Sequence, residues 1–411
     1  MSWTRPSGGC SGRSAGRRTR GADGRLTILY ANHVGEASGA EFSLISMISQ
    51  LDRQRFTPVA AIPHHGPLQA MLRRIDVPVA TVPSLRLSRT RNPLSLARQG
   101  LDLLAFRRRL GALVGESGAS ILHANSIAAG LAATTLPRGM PPVVCHVRDL
   151  SFPRAAVDWI VSGSAAVIAI SECVREAVLQ AAPDAGERVR VIHNGIDPAR
   201  FQPGKTRAEV RSMLGLAAGE RLVGMVSQLV PWKQHERFLQ TAAAVSERVK
   251  AVRFIIVGAD LFGEHRDYVD SLYEQAAQLG LRERIIWAGY RDDVADLMHA
   301  MDVLVHPAEQ EPLGRVVLEA MCVGTPCVAV DQCGPAELIS SLESGMLTPP
   351  EPGAMAEAVV TLLTKAPLAR AISAAAQEAV RTRFSALRAA QLTQKVYEDV
   401  LLRPPARRWL I

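Results

Sequence analysis

Short apolar segments alternate with amphipathic segments along almost the whole chain. The apolar segments of the first half are residues 26–32, 58–62, 78–82, 120–125, 142–147 and 166–171, and those of the second half are residues 221–227, 252–258, 284–289, 303–307 and 327–331. Helical periodicity lies between them, for example at residues 41–51 and 94–113. Strands that are apolar throughout are buried on both faces, and parallel strands need a crossover, usually a helix, between them. The alternation therefore predicts an α/β fold with doubly wound parallel sheets.

The length of the chain and one turn-rich segment predict two domains. A chain of 411 residues is long enough for two units of ordinary size. The segment VRVIHNGIDPARFQP, residues 189–203, carries turn residues and two prolines and is predicted to be a connector. We expect an N-terminal domain over residues 25–197, a C-terminal domain over 198–384 and a last segment over 385–411 with a helix at 386–402.

Composition narrows the class of protein further. Hydrophobic residues make up 48% of the chain and aromatic residues only 5%, which suits an α/β protein with an aliphatic core. No run of about 18 uncharged apolar residues occurs, so a membrane-spanning helix is not expected. Residues 1–24 are rich in Gly, Ser and Arg and are predicted to be a disordered basic tail without the apolar region of a secretory signal. The six cysteines form no CxxC pair and have no histidine at metal-binding spacing, so reduced thiols are expected.

Positive charge is concentrated in the first half of the chain. Residues 1–200 hold 24 Arg and no Lys against 14 acidic residues, within a net charge of +8 for the whole chain. Part of this charge clusters on and around a Leu-rich helical segment, at Arg86, Arg89, Arg91, Arg98 and Arg107–Arg109. Two interpretations stay open: a peripheral contact with an anionic membrane, or, as we favour, a core-packed helix with a solvated Arg face. Nucleic acid is not an expected partner because no aromatic residues alternate with the arginines.

Residues 311–321, EPLGRVVLEAM, carry the strongest functional signal. Pro312 and Gly314 predict a bend, and apolar residues at helical spacing then predict a helix. Glu311 would lie in the loop and Glu319 in the helix, with the N-terminus of the helix between them. Such a terminus offers free N–H groups and a favourable dipole to a phosphate, and the two carboxylates could hold sugar hydroxyls on either side. The alternative is a pair of surface glutamates near a helix start.

The longer run EPLGRVVLEAMCVGTPCVA closely resembles the signature of glycosyltransferase family 4, a retaining group with the GT-B fold. The resemblance extends through most of residues 26–400. It implies two Rossmann-like domains that face a cleft, with the final helix crossing back to the N-terminal domain. It also implies a nucleotide diphosphate sugar as donor, a glycan, lipid or small-molecule hydroxyl as acceptor, and neither a metal nor a cofactor.

The resemblance also implies which residues of the C-terminal domain bind the donor. In SQLVPWKQHERFL, Lys233 matches the lysine that grips the diphosphate, while Gln228 stands where an arginine is usual and Gln234 where a glycine is usual. Gln228 can donate a hydrogen bond to a phosphate but brings no charge, so Arg315 could take over part of the task. The remaining donor contacts are implied for Tyr290 and Arg291 beside the base, Leu313 and Gly314 in the loop, Glu319 on the ribose and Glu311 on the transferred sugar.

Small and polar residues mark the predicted site in the N-terminal domain. Gly35, Ser38 and Gly39 follow the first strand, and SGAE nearly matches the Gly-Gly-Ala-Glu of the family, which implies donor contact at Gly39. His146 ends a strand at the position of the family's active-site histidine; the alternative is a structural histidine. Weaker candidates at other strand ends are Asn125, Arg148, Ser171 and Glu172.

Two acidic positions leave alternatives open. Asp292 or Asp293 in GYRDDV is predicted to cap a helix, in preference to a metal-binding role. Glu337 matches an acid of the family pattern, but a role at a helix start is equally consistent with its position.

These observations predict a retaining glycosyltransferase, cytoplasmic or peripheral at the inner face of the membrane, with Glu311, His146 and Lys233 carrying the catalysis. One alternative is another GT-B activity, such as that of an epimerase or a phosphorylase. A second is a catalytically silent member that binds a nucleotide sugar or a partner enzyme, and Gln228 is the feature that favours it.

Overall fold

The chain folds into two α/β domains. The computed structural model describes residues 24–88, 91–261 and 263–402. The predicted basic tail, apart from Gly24, therefore lies outside the described residues, as do Arg89 and residues 403–411 of the last segment.

The N-terminal domain is built on a parallel sheet. Its strands are β1 Leu26–Ala31, β2 Phe56–Pro63, β3 Val79–Val82, β4 Ile121–Ala124, β5 Val143–Val147, β6 Ala166–Ala169 and β7 Val189–Val191. Its helices are α1 Gly39–Ser49, α2 Leu68–Arg73, α3 Pro93–Ser117, α4 Ile127–Thr134, α5 Arg154–Gly163 and α6 Glu172–Ala181. Across the described residues, the seven strands lie in the order β3-β2-β1-β4-β5-β6-β7.

The C-terminal domain repeats this plan. Its strands are β8 Arg221–Val226, β9 Val252–Val257, β10 Ile285–Gly289, β11 Val303–His306, β12 Cys327–Val330 and β13 Met346–Thr348, in the order β10-β9-β8-β11-β12-β13. Its helices are α7 Arg207–Met213, α8 His235–Arg248, α9 Arg266–Gln278, α10 Val294–Ala300, α11 Arg315–Val323, α12 Cys333–Leu338, α13 Pro352–Thr364 and α14 Ala366–Thr382, and α15 Ala386–Leu402 follows. Of the helices that the structure describes, none alone is long and apolar enough to cross a membrane; α13 and α14 meet that criterion only together, with a bend of 101° between them.

Both sheets change winding direction beside the first strand of the domain. β1 pairs with β2 on one side and with β4 on the other, and β8 pairs likewise with β9 and β11. Helices leaving the two halves of such a sheet cover opposite faces, and the carboxyl ends of the strands at the reversal are where ligands bind. The predicted fold class, two doubly wound Rossmann-like domains, is confirmed.

The eleven predicted strands are confirmed, but two short edge strands were not predicted. The prediction of a connector over residues 189–203 is wrong at its start, because Val189–Val191 forms β7 beside β6. β13 likewise pairs with β12 at the edge of the second sheet. Each has three residues, which is too short to show a strand pattern in sequence.

The small-residue turn after β1 is held by its own acidic residue. The carboxylate of Glu41 accepts from the backbone N–H of Ser38 at 3.0 Å and from its hydroxyl at 2.6 Å, which fixes the start of α1. The second oxygen of Glu41 accepts from Asn32 Nδ2 at 3.1 Å. A side chain at Gly35 would meet the carbonyl oxygen of His65 at 1.5 Å, so this glycine is required by the loop after β2. Packing against this loop therefore explains Gly35, whereas the sequence predicted a close approach to a ligand there.

The last helix, α15, belongs to the core of the N-terminal domain. It packs against α1, and its Tyr397 is fully buried. Tyr397 donates a hydrogen bond to the Tyr30 hydroxyl at 3.2 Å, and its oxygen lies 2.7 Å from His123 Nδ1. The chain thus leaves the N-terminal domain, builds the C-terminal one and returns.

Two cysteines are paired, so the expectation of reduced thiols is wrong for them. Cys173, in the first turn of α6, and Cys333, the first residue of α12, form a disulfide with their Cα atoms 5.1 Å apart. The two residues lie 160 positions apart and in different domains, which a search for short Cys spacings does not detect. Cys145, Cys322 and Cys327 form no disulfide with another cysteine that the structure describes.

Candidate functional site

The loop between β11 and α11 places two carboxylates around a helix N-terminus. Gly314 precedes α11 with φ of 90°, a left-handed conformation that glycine adopts without cost. Glu311 lies in the loop and Glu319 in the second turn of the helix. The free N–H groups of α11 therefore open between the two glutamates, at the carboxyl edge of the sheet.

Glu311 is buried in an ion pair. Its Oε2 atom accepts from Lys233 Nζ at 2.5 Å and lies 3.3 Å from His306 Nε2, and only 8% of the residue is exposed. Burial alone would raise the pKa of Glu311, but the charge of Lys233 and the adjacent His306 outweigh it and lower this pKa to about 2. Glu311 is therefore ionised at every physiological pH.

Lys233 reaches Glu311 from the loop after β8. It ends a short 3-10 turn, Pro231–Lys233, and its ammonium lies 3.8 Å from the centre of the Trp232 ring, a cation–π contact. The next residue, Gln234, has φ of 61° and ψ of 49°. A left-handed residue other than glycine costs about 1–2 kcal/mol. This conformation gives a physical reason for the glycine that the family resemblance puts at position 234.

Arg315 spans the two domains. Its Nε atom donates to Glu319 Oε1 at 2.8 Å, one turn along α11, while its Nη1 atom donates to the Ser43 hydroxyl of α1 at 3.1 Å. Its stem passes Gly39, where a Cβ atom would lie 3.7 Å from Arg315 Cδ. Burial raises the pKa of Glu319, and the charge of Arg315 opposes that rise. The first turn of α11 and the start of α1 therefore face each other through one guanidinium group.

His146, on β5, lies at the bottom of the N-terminal side of this contact. Its Nδ1 atom lies 3.2 Å from Arg148 Nη2, and its buried Nε2 atom has no hydrogen-bond partner among the described residues. Burial, followed by the nearby positive charge of Arg148 and by His123, lowers the pKa of His146 well below its usual value, so the ring is neutral. Arg148 is held by Asn125 Oδ1 and by Asn194 Oδ1, each at 2.8 Å. A small cavity lined by Ser43, His146, Arg148 and Asn194 lies beside this network.

The predicted base-contacting residues follow β10. Tyr290 is 63% exposed, and Arg291 donates to both carboxylate oxygens of Asp293 at 2.7 and 2.6 Å. Asp293 occupies the position before α10, but its side chain makes no capping hydrogen bond there. Asp293 therefore lies at the predicted capping position, but its carboxylate binds Arg291 and does not cap the helix. No group of three or more His, Cys, Asp or Glu among the described residues could hold a metal ion.

Gln228 and Leu313 lie at the carboxyl ends of the two central strands. Gln228 follows β8, and its carbonyl accepts from the N–H of Val230 at 3.0 Å, which turns the chain toward Lys233. Leu313 is 2% exposed and lies under Gly334, where a Cβ atom would come within 2.1 Å of Leu313 Cα. The loops that carry the predicted donor residues are thus brought to one edge of the sheet.

Glu337 joins the two domains at the rim of the cleft. Its carboxylate accepts from the backbone N–H groups of Glu172 at 2.9 Å and Cys173 at 3.0 Å, and it lies 2.7 Å from His193 Nε2. Burial would raise the pKa of Glu337, but His193 and the two N–H groups hold it below its usual value. Glu337 therefore caps α6 of the other domain, and we name Glu337, His193 and the Cys173–Cys333 disulfide the domain clasp.

Three polar residues of this region are absent from the sequence-based predictions. His306 ends β11 in the same way that His146 lies near the end of β5, so the polar strand-end signal could have found it. His193 follows β7, which was not recognised as a strand. Ser43 is an ordinary helix residue in sequence, and nothing there indicates that Arg315 contacts it.

Two glycosyltransferase profiles together match most of the chain. The profile described as "Glycosyl transferases group 1" matches residues 206–379, and the profile described as "Glycosyltransferase Family 4" matches residues 37–200. The chain belongs to glycosyltransferase family 4. One match covers most of each domain.

Curated members of the family match part of the chain. The lipopolysaccharide core biosynthesis mannosyltransferase LpsB of Rhizobium meliloti is 29% identical over 214 residues, which are 51% of this chain and 61% of that protein. The D-inositol 3-phosphate glycosyltransferase of Mycobacterium tuberculosis is 32% identical over 218 residues, 52% of this chain and 43% of that protein. The chain thus spans about half the length of the curated relatives it matches.

A solved structure matches nearly the whole chain. HepE of Anabaena in complex with UDP-glucose superposes with a TM-score of 0.76 and 29% identity, over 91% of this chain and 100% of that one. The match includes both domains and confirms the GT-B arrangement.

Proposed function

We propose that this family 4 protein is a retaining glycosyltransferase that moves a hexose-type sugar from a nucleotide diphosphate donor to a hydroxyl acceptor. The observation that carries the proposal is the buried Glu311–Lys233 pair beside the N-terminus of α11. A buried ion pair is seldom better for stability than apolar residues of the same volume. Its position at a ready-made anion site gives it a reason other than stability.

In the proposed site, donor binding separates the Lys233–Glu311 pair and gives each of the two side chains a new partner. The diphosphate binds at the N-terminus of α11, where it attracts Lys233 and Arg315 away from Glu311 and Glu319. The released carboxylates then accept hydrogen bonds from the sugar and from the ribose. As the glycosidic bond breaks, the two cations and the helix N–H groups stabilise the negative charge that develops on the leaving diphosphate. Neither a metal nor a cofactor has a role in this scheme.

The remaining predicted residues have places in the same scheme. Gly39 lets α1 approach Arg315 closely, and Gln228 offers the diphosphate a neutral donor. Tyr290 and Arg291 frame the base. His146 is uncharged, and its Nε2 atom has no partner in the part of the chain that the structure describes, so it can exchange a hydrogen bond with a hydroxyl of the sugar or the acceptor.

A uridine diphosphate hexose is the first donor to test, because HepE was solved with UDP and with UDP-glucose. Thermal-shift titration with UDP, GDP and ADP identifies the base, since a ligand that binds only the folded state raises the midpoint. Transfer is then followed as release of the nucleoside diphosphate from each sugar conjugate, with glycan, lipid-linked and inositol-type acceptors.

Matched variants connect the activity to the site. Glu311→Gln is expected to lower transfer by about 10²–10³-fold. Glu309→Gln is the control, because Glu309 lies two residues away, is more exposed and pairs with Arg237 instead. Wild-type transfer in folded Glu311→Gln, or an equal loss in Glu309→Gln, contradicts the proposal.

The silent-member alternative is favoured by Gln228 alone. It predicts that a nucleoside diphosphate binds while every donor conjugate stays intact with every acceptor class. A phosphorylase would instead release a sugar phosphate when given inorganic phosphate, and an epimerase would change the configuration of the sugar without an acceptor.

The sequence favours a core-packed α3, but the exposed leucines of this helix lead us to propose that α3 contacts a membrane surface on which the acceptor lies. This helix packs Phe106 and Leu110 inward but leaves Leu94, Leu101 and Leu104 exposed by 79%, 66% and 56%. Arg98 and Arg108 are exposed on the same helix. Apolar and cationic side chains together fit the interface of an anionic bilayer, which supports a location in the cytoplasm at the inner face of the membrane.

Vesicle binding tests this surface. The double variant Leu101→Gln, Leu104→Gln should bind phosphatidylserine-containing vesicles about tenfold more weakly per leucine lost. Leu387→Gln on α15, where Leu387 is 50% exposed, should bind as the wild type does. Equal binding of all three proteins, or no binding of the wild type, contradicts the membrane contact.

A further inference from the structure

We infer that the Cys173–Cys333 disulfide is a reversible redox lock that holds the two domains together and slows passage of the nucleotide through the cleft. The inference rests on the proposed function, because it concerns the regulation of the same site. The two cysteines belong to helices that follow the carboxyl ends of β6 and β12, one in each domain. Their bond therefore crosses the cleft.

Cys333 is joined directly to the donor loop. The next residue, Gly334, donates its N–H to the carbonyl oxygen of Glu311 at 3.0 Å. Pro335 Cγ would lie 3.4 Å from a Cβ atom at Gly314. A change in the position of Cys333 is therefore transmitted within two residues to the loop that carries the buried ion pair.

The backbone at Cys333 points to a specific use of this residue. Its φ is 48°, in the left-handed region, which disfavours a residue other than glycine. A cysteine at such a position needs a compensating contact, and its sulfur is bonded to Cys173. Both cysteines are half-buried rather than enclosed, so a small thiol or disulfide can reach them.

The rest of the domain clasp, Glu337 and His193, joins the two domains, and the disulfide stabilises this contact. Glu337 accepts two backbone hydrogen bonds at the start of α6 and binds His193 without any help from the sulfurs. Hydrogen bonds of this kind break and form readily when domains move. A disulfide does not allow such movement, since the Cα atoms of its two cysteines must stay within about 4.4–6.8 Å of each other.

The chemistry is thiol–disulfide exchange with a low-molecular-weight disulfide. The thiolate of one cysteine attacks the added disulfide, forms a mixed disulfide and releases one thiol. The second cysteine then attacks the bonded sulfur of the first and releases the second thiol, so two protein thiols are oxidised and one small disulfide is reduced. A dithiol reverses both steps. In a reducing cytoplasm, disulfides of this reversible kind are the ones that sense redox state.

The rate of nucleotide release in the oxidised and reduced forms tests the lock. The purified chain is equilibrated with oxidised glutathione or with dithiothreitol, and the bond is followed by peptide mapping under alkylation. In the oxidised form, dissociation of UDP should be about tenfold slower than in the reduced form, and dithiothreitol should restore the fast rate. Cys173→Ser and Cys333→Ser should release UDP at the fast rate under both conditions, while Cys322→Ser, a free-cysteine control, should behave as the wild type does.

Hydrogen exchange separates failure of the lock from failure of the proposed function. The amides of Glu172 and Cys173, which bind Glu337, should exchange more slowly in the oxidised form whether or not a nucleotide binds. Absence of the bond after oxidation, or equal exchange and equal UDP release in the two forms, overturns the lock. If none of UDP, GDP and ADP binds but exchange still depends on redox state, the lock between the domains stands and the proposed function fails.

Discussion

Lys233 and Glu311 lie 78 positions apart in the chain, yet their side chains form one buried ion pair at the edge of the C-terminal sheet. The loop after β8 supplies the cation, and the loop after β11 supplies the anion. Neither charge is free in this arrangement. A ligand that needs one of them must first separate the pair, so binding and partner exchange are coupled at this point.

Breaking the pair from one side should destabilise the fold as well as the site. In Lys233→Met the buried Glu311 carboxylate loses its partner, and removing one member of a buried pair costs about 3–5 kcal/mol. The double variant Lys233→Met, Glu311→Gln should recover most of that loss because no buried charge remains. Urea unfolding at pH 7 measures the three free energies. Additive losses in the double variant would show that the two side chains do not interact.

Acid should remove the contribution of Glu311 to stability. The pKa of Glu311 falls from 4.5 in the unfolded chain to about 2 in the fold. The contribution is therefore fully present above pH 4.5 and disappears as the pH falls through about 2, and a shift of this size corresponds to about 3 kcal/mol. Glu319 acts in the opposite direction, since burial raises its pKa.

The pH effect is measured as the difference between wild type and Glu311→Gln. Urea unfolding of both proteins between pH 7 and pH 3 should show the wild type losing more stability than the variant. Parallel curves would mean that Glu311 titrates in the fold as it does in the unfolded chain.

Gln234→Gly should stabilise the protein. The left-handed backbone at Gln234 disfavours a side chain, and glycine removes that cost at the expense of some unfolded-state entropy. We expect a net gain of about 1 kcal/mol. Gln234→Val is the matched contrast, since a β-branched side chain is disfavoured most in this conformation and should lower stability. Thermal unfolding of the three proteins measures these changes. A loss of stability in Gln234→Gly would mean that the Gln234 side chain stabilises the fold by more than the backbone strain destabilises it.

Gln228→Arg should strengthen binding of the nucleoside diphosphate by about tenfold, because a charge-assisted hydrogen bond replaces a neutral one. Calorimetric titration with UDP at low and high salt measures the change, and the gain should shrink as salt screens the added charge. Gln228→Glu should weaken binding under the same conditions. A folded arginine variant with unchanged or weaker affinity would show that position 228 does not face the phosphates.

The central strands could be predicted because each is a largely apolar run. β8, β9 and β11 are buried between layers of helices, so their sequences show no polar alternation and are bounded by turns. β7 and β13 lie at sheet edges and have three residues each, so they depend on a neighbour that is distant in sequence. The bend at Pro312 and Gly314 was likewise predictable, because it follows from local backbone chemistry.

The partners inside the site could not be predicted in the same way. The contact between Arg315 and Ser43 joins residues 272 positions apart, and that between Glu337 and His193 joins residues 144 apart. Both contacts depend on how one domain rests on the other, which no local pattern encodes. The cysteine pair shows the same limit, since 160 positions separate its members.

The return of α15 to the N-terminal domain sets the order in which the protein can be completed. A ribosome delivers β1 through β7 first, but Tyr397, which fills the space beside Tyr30 and His123, is made only after the C-terminal domain. The N-terminal domain can therefore be completed only after the whole C-terminal domain has been synthesised. Residues 25–197 expressed alone would expose an apolar groove where α15 belongs. In the nascent chain the same groove stays exposed until α15 has been synthesised.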